Sequence, residues 1–181
     1  MDYQFLYIVV AGIPFAATVM DWLGSAISER HHSHHDTYET PSALFHALVV
    51  VMVGMGLLGV VAGIYIEAAE NGWSFPSVMM FFAAFEIVLF CIWHGMKRYR
   101  VVTYEDHMVV TPFVGRPVTI AYADITALRW SRLHFGFTGA SINVFVGDKR
   151  IATLWDGIDT DQVLMTTGRL DALDVPGVYA W

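Results

Sequence analysis

Three long stretches in the first half of the chain are almost entirely apolar. A helix rises ~1.5 Å per residue and must cross ~30 Å of hydrocarbon, so a membrane span needs about 20 apolar residues. The pattern predicts three transmembrane helices, over residues 5–27, 44–66 and 75–95. The alternative is a buried helical bundle of a soluble protein. Such a bundle would carry polar stripes at helical spacing, and "LVVVMVGMGLLGVVAGIYI" has none.

Small residues at four-residue spacing predict close packing between these spans. Gly59 and Gly63 form a GxxxG pair in the second span, and Gly12 with Ala16 forms a similar pair in the first. Such pairs let helix backbones approach closely within lipid. We therefore expect both pairs to lie at helix contacts; the alternative is that glycine is simply common in membrane helices.

Beyond Arg100 the pattern changes to short runs of β-branched and aromatic residues bounded by Gly, Asp and Pro, which is typical of strands. It predicts a hairpin turning at Glu105–Asp106, two strands around a Tyr-Ala-Asp corner, and a hairpin turning at 147–149. Asp159, with Gln162 three residues later, then marks the start of a helix that Pro176 ends.

Composition and charge change near residue 97. The chain of 181 residues is 56% hydrophobic and 15% charged, with a formal net charge of −7. Residues 1–96 hold one basic and eight acidic residues, whereas residues 97–181 hold nine of each. We therefore predict a transmembrane domain over 1–96 and a cytoplasmic domain over 97–181. The balanced charge of the second argues against nucleic-acid binding, which needs a basic face.

Lysine and arginine residues predict the orientation in a bacterial inner, or plasma, membrane. The N-terminal flank has none, whereas Lys97, Arg98 and Arg100 follow the third span. Because cytoplasmic flanks are enriched in these residues, the N-terminus is expected outside and the C-terminal domain in the cytoplasm.

The segment "YRVVTYEDHMVVTPFVGRPVTIAYADITAL" shows a strand, an acidic turn, a strand and then Ile120, Tyr122, Asp124 and Ile125. It resembles the bacterial pleckstrin-homology-like (PH-like) membrane proteins, over roughly residues 97–175. The resemblance implies an α+β membrane protein, with a small antiparallel β-barrel or sandwich capped by a C-terminal helix. It also implies a module that docks a protein partner or self-associates, without catalysis.

Phosphoinositide-binding relatives carry several Lys or Arg residues in the first hairpin, where they grip phosphates. Here that hairpin is the acidic "TYEDHM". The remaining basic pair, Arg129 and Arg132, is a candidate binding surface, and its alternative interpretation is an ordinary solvated surface.

The connector between the first two spans, "ISERHHSHHDTYETPS", concentrates imidazoles. Clustered His side chains could ligate a divalent transition metal such as zinc or nickel. A pH sensor and a hydrated connector are the alternatives. No other cofactor is expected. The candidate ligands are His31, His32, His34 and His35.

Ionisable residues inside a membrane are costly and are functional candidates by default. Asp21, His46 and His94 are expected at one depth near the cytoplasmic face, whereas Glu86 is expected near the midplane. Glu86 has two interpretations: a proton or cation relay, or a neutral carboxyl bonded to a neighbouring helix.

Motifs for nucleophilic, phosphate-binding or zinc-protease chemistry are missing, so we predict that the chain is not an enzyme. The first hypothesis is a membrane protein that displays a PH-like module for partner docking or self-association. The alternative is a small metal- or proton-linked transport or sensor component that uses the His-rich loop and the intramembrane acids.

Overall fold

The computed structural model describes residues 4–28, 36–69, 74–131, 141–155 and 157–174. The chain divides into two compact units. The first, here called the helical unit, comprises Met1–His31 and Ser42–Gly95. The second, the sheet unit, comprises His32–Pro41 and Met96–Trp181.

Three long helices form wherever the chain is continuously apolar. They are α1 (Gln4–Ser28), α2 (Ser42–Ala69) and α3 (Phe75–Arg98). Each has at least 24 residues, so each exceeds the ~30 Å needed to cross a hydrocarbon core. All three are long and apolar enough to cross a membrane, which confirms the prediction of three such helices.

Side chains from the three helices pack in two buried clusters. Leu6 and Val10 of α1 meet Met79, Phe82 and Ala83 of α3 in the first cluster. The second joins Ala17 of α1, Val49 and Met52 of α2, and Trp93 of α3. The fully buried Trp93 anchors the second cluster, because an indole buries more area than any other side chain.

Glycines of α2 allow the close approach that the GxxxG spacing predicts. A Cβ atom at Gly59 would lie 2.8 Å from Cγ1 of Val10, and one at Gly63 would lie 2.9 Å from Sδ of Met79. The prediction for the Gly12–Ala16 pair is wrong: nothing lies within 4 Å of a Cβ at Gly12, and Ala16 is exposed. Spacing alone does not reveal which helix face turns inward.

The first sheet of the sheet unit has the order β1-β2-β3-β4 and is antiparallel throughout. Val101 pairs with Val110, and Met108 with Ile120. These four side chains are buried, as alternation along a half-buried strand requires. The strands are β1 (Asp36–Glu39), β2 (Arg100–Thr103), β3 (His107–Thr111) and β4 (Val118–Ala121).

Strand β1 comes from the connector between α1 and α2 and pairs with β2 along its whole length. Tyr38 is its one buried side chain, and its hydroxyl lies 3.2 Å from that of Thr166. The sequence placed these residues in a connector. Only Thr37 and Tyr38 of this segment favour a strand, which is too weak a signal for a four-residue segment, so pairing with the edge of β2 decides its conformation.

The second sheet has the order β7-β6-β5-β8. Its first three strands are antiparallel and the two-residue β8 runs parallel to β5. A short 3₁₀ turn at Tyr122–Asp124 connects the two sheets. The strands are β5 (Ala127–Trp130), β6 (Ile142–Val146), β7 (Lys149–Leu154) and β8 (Leu173–Asp174). The predicted hairpins and the Tyr-Ala-Asp corner are therefore present. Within the described residues the two sheets do not close into a barrel.

Helix α4 (Thr160–Thr167) begins as predicted, with Oδ1 of Asp159 accepting from the backbone N–H of Gln162 at 3.0 Å. Its predicted extension toward Pro176 is wrong. Gly168 takes a left-handed φ of 64° and donates its N–H to the Met165 carbonyl, which is a common way to end a helix. The chain continues as a 3₁₀ turn at Leu170–Ala172 and then as β8.

Candidate functional site

Two of the ionisable residues predicted at one membrane depth are brought together. Nε2 of His46, at the start of α2, lies 3.2 Å from Oδ2 of Asp21, near the end of α1. The Asp21 side chain is 13% exposed and the His46 side chain 62% exposed. His94 instead stacks on Phe90, with ring centroids 6.1 Å apart and 14° between the planes.

Glu86 lies near the middle of α3 and is fully buried. Neither carboxyl oxygen has a hydrogen-bond partner among the described residues. Oε1 lies 3.7 Å from the position that a Cβ atom at Gly56 would take, so the carboxyl points toward α2. It is therefore an isolated polar group within the described interior of the three helices.

A further polar contact in the helical unit was not predicted from sequence. The Tyr7 hydroxyl of α1 donates to Oε2 of Glu67, near the end of α2, at 3.3 Å. Asp21 and Glu67 thus contact polar groups toward opposite ends of the α1–α2 pair. Tyr7 and Glu67 are 60 residues apart in the chain, and no local pattern connects them.

The histidines predicted to hold a metal, His31, His32, His34 and His35, lie outside the described residues. Within the described ranges, no group of three or more His, Cys, Asp or Glu side chains could hold a metal ion. Among the predicted intramembrane residues, the Asp21–His46 pair comes closest to a set of metal ligands.

The sheet unit contains an open cleft of about 460 Å³. Residues of β3 and β4 line one part of it, and residues of β6 and β7 line another. Three aromatic residues, Tyr99, Phe113 and Trp155, also line it, together with the polar Asn143 and Arg150. A concave, mainly apolar surface with a few polar groups is typical of a binding site.

The aromatic residues of the cleft hold one another in place. The Tyr99 and Phe113 rings stack with centroids 4.8 Å apart, and Trp155 meets Phe113 edge-on at 5.3 Å. The Tyr99 hydroxyl donates to the Thr153 carbonyl at 3.1 Å and accepts from the Trp155 backbone N–H at 2.9 Å. Burial raises the pKa of Tyr99 to about 12, so the hydroxyl stays neutral and keeps the proton that it donates.

An edge of β7 borders this cleft. Four consecutive residues, Arg150 to Thr153, line it. Successive side chains point to opposite faces of a strand. Four consecutive residues can therefore border one cleft only where the edge of β7 faces it. Within the described residues β7 is the outer strand of its sheet. Sequence reasoning missed the cleft, because its lining residues come from distant strands.

The basic pair predicted as a binding surface is only partly described. The Arg129 guanidinium lies over the Phe145 ring, with Cζ 5.1 Å from its centroid. Arg132 lies outside the described residues. In the acidic hairpin, Nδ1 of His107 donates to Oδ1 of Asp106 at 2.6 Å, and the His107 ring stacks on Tyr104. This hydrogen bond lowers the pKa of Asp106.

No protein-family model matches the chain, and no curated protein or solved structure matches it either.

Proposed function

We propose that this chain is an integral membrane protein whose sheet unit is a PH-like module that docks an extended segment of a protein partner. The three helices anchor the module, and the cleft beside β7 receives the segment. One observation supports the docking role: the outer edge of β7 runs along an apolar cleft.

The outward faces of the helices support membrane insertion. Many large apolar side chains are more than half exposed on the surface of the helices, with Ile8 and Phe15 above 70%. Exposing apolar surface to water costs roughly 25 cal/mol per Å², a cost that acyl chains remove. These side chains are Phe5, Ile8, Phe15, Trp22, Val50, Leu57, Leu58, Val61, Ile64, Tyr65, Met80, Phe81 and Val88.

The origin of β1 supports three crossings. With three spans, the α1–α2 connector and the chain after α3 emerge on the same side of the bilayer. The pairing of Asp36–Glu39 with Arg100–Thr103 requires that both segments share one compartment. Lys97 and Arg98 in the last turn of α3 favour the cytoplasm as that compartment.

The order of elements supports the PH-like assignment. A hairpin with an acidic turn, a strand ending at the Tyr-Ala-Asp corner and a second sheet precede the terminal helix. Ile120, Tyr122 and Ile125 of the resembling segment are buried, as residues that define a fold should be. Strands β1 and β8 are additions to the predicted order.

Strand addition explains how such a module would bind. An extended peptide that pairs with an exposed sheet edge gains main-chain hydrogen bonds, and neighbouring pockets select its side chains. The edge of β7 before Thr153, whose carbonyl already accepts from Tyr99, supplies the hydrogen bonds. Tyr99, Phe113 and Trp155 supply apolar surface. The acidic hairpin, with Glu105 and Asp106 exposed, does not favour anionic headgroups.

The test is photo-crosslinking of the full-length protein in native membranes. A photoreactive amino acid at Val118, which lines the cleft, should form an adduct with one segment of one partner protein. The matched control is Thr119, the next residue, which is exposed and lies outside the cleft lining. Equal adducts at both positions, or adducts only between copies of this chain, would contradict the proposal.

A metal-linked role is the second candidate function. It is favoured by the Asp21–His46 contact of 3.2 Å, because carboxylate and imidazole are both ligands of zinc and nickel. Protein purified through a mild chelator wash should then retain a first-row metal, and His46→Ala should reduce it more than His94→Ala. Trace metal with unchanged thermal stability in all three proteins would contradict this role.

A further inference from the structure

The carboxyl of Glu86 needs a partner that the described side chains do not supply. The residue is fully buried, and neither Oε1 nor Oε2 has a hydrogen-bond partner among the described residues. An ionised carboxylate without a counter-charge is among the most costly groups that an apolar interior can hold. A proton or a cation at this position would remove that cost.

Helix α1 presents an acceptor that also needs a partner. Pro14 lies inside α1 and has no N–H, so the Val10 carbonyl loses the donor that an ordinary helix would provide. In membrane helices, neighbouring helices commonly satisfy a carbonyl released in this way. A donor on a neighbouring helix that faces the Val10 carbonyl would therefore complete its hydrogen bonding.

Gly56 of α2 brings the two groups to one place. A Cβ atom at Gly56 would lie 2.9 Å from the Val10 carbonyl oxygen and 3.7 Å from Oε1 of Glu86. It would also lie 2.8 Å from Cγ of Pro14. Because glycine has no side chain, the released carbonyl and the isolated carboxyl share the space beside it.

One proton satisfies both groups. A neutral Glu86 carboxyl has an O–H that can donate to the Val10 carbonyl, and the pair then carries no charge. A hard divalent cation would need about six oxygen ligands, far more than Glu86 and Val10 provide. An anion finds only acceptors here. The chemistry of the pair therefore selects a proton.

We propose that Glu86 and the Val10 carbonyl form a proton-binding site inside the three-helix unit, and that the bound proton ties α3 to α1. Elsewhere in the helical unit, Asp21 contacts His46 and Tyr7 contacts Glu67. In the described part of the chain no Lys, Arg or His contacts the Glu86 carboxyl. The site is independent of the docking role proposed for the sheet unit.

The test uses infrared difference spectroscopy of the full-length protein in lipid nanodiscs at neutral pH. Wild type minus Glu86→Gln should show the C=O stretching band of a protonated carboxyl group. Glu86→Gln should still assemble, because its amide N–H can donate to the same carbonyl. Labelling wild-type protein with ¹³C-glutamate should shift the same band, which identifies a protonated glutamate without any substitution.

The role of Val10 is tested separately by Pro14→Ala. This variant restores a backbone N–H that competes for the Val10 carbonyl, so the hydrogen bond from Glu86 weakens and its band should move to higher frequency. The matched control is Pro76→Ala, in the first turn of α3, which should leave the band in place.

Three results would overturn the proposal. Carboxylate bands in place of the protonated band would show that Glu86 is ionised. A protonated band that disappears when sodium replaces choline would show that a cation competes for the site. A band that Pro14→Ala leaves unmoved would exclude the Val10 carbonyl as the acceptor.

Discussion

Replacing Gly59 with alanine should weaken the packing of the three helices. Gly59 is a buried residue of α2. The added Cβ atom would lie 2.8 Å from Cγ1 of Val10 on α1, and 2.9 Å from Cγ of Phe82 on α3. Both distances are well below the 3.5–4.0 Å that is optimal for two carbon atoms. Because the site contacts two helices at once, moving away from one neighbour brings the methyl group closer to the other.

The expected cost follows from the size of the overlap. Inserting a methyl group into a packed core typically costs about 1–3 kcal/mol. Alanine also has a higher helix propensity than glycine by up to ~1 kcal/mol, which offsets part of that cost. Gly54 of the same helix is the matched control for packing, because nothing lies within 4 Å of a Cβ there. Gly54→Ala should therefore be neutral or stabilising, and Gly59→Ala less stable than Gly54→Ala by about 1–3 kcal/mol.

The assay is reversible unfolding of full-length protein in mixed micelles, as the fraction of denaturing detergent rises. Helicity by circular dichroism and tryptophan fluorescence report the transition. The stabilities of the two alanine variants are compared with each other, because both variants gain the same helix propensity and that gain cancels in the difference. Equal stabilities for Gly54→Ala and Gly59→Ala would refute the assignment of Gly59 to a three-helix contact.

Three further predictions concern the sheet unit. Tyr99→Phe removes the hydroxyl that accepts from the Trp155 backbone N–H and should lower the free energy of unfolding by about 1–3 kcal/mol; a variant as stable as wild type would contradict this. Asp159→Ala removes the cap of α4 and should cost about 0.5–2 kcal/mol in thermal unfolding, whereas Asp159→Asn should preserve most stability. His107→Ala removes the hydrogen bond that lowers the pKa of Asp106, so the carboxyl should titrate at higher pH by NMR. Because that pKa is lowered in the folded protein, the stabilisation is present at neutral pH and is lost as pH falls through the lowered value.

Local patterns were sufficient for most individual elements. The continuous apolar runs predicted all three long helices, because a backbone surrounded by apolar side chains must satisfy its own hydrogen bonds. The acidic turn at Glu105–Asp106 and the corner at Tyr122–Asp124 were also predicted, since turn residues act over a few positions. The end of α4 was missed. Only the left-handed conformation of Gly168 shows that the helix ends there.

The candidate sites were less accessible to sequence reasoning. Asp21, His46 and Glu86 were selected because an ionisable residue is conspicuous in an apolar run. The contact between Asp21 and His46 was not predicted, because it depends on which helix faces turn inward. The Val10 carbonyl had no signal of its own, because every residue has a carbonyl and only the placement of Pro14 and Gly56 makes this one special.

By itself, the sequence determined that this chain has three helices long and apolar enough to cross a membrane, followed by a domain of short strands. That information is local: it lies in runs, alternation and turn residues that act over a few positions. Only the tertiary structure decided that Asp36–Glu39 joins β2, that an edge of β7 borders a cleft, and that the Glu86 carboxyl and the Val10 carbonyl both lie beside Gly56. These are contacts between distant segments, and their energies depend on distance and burial in the folded chain.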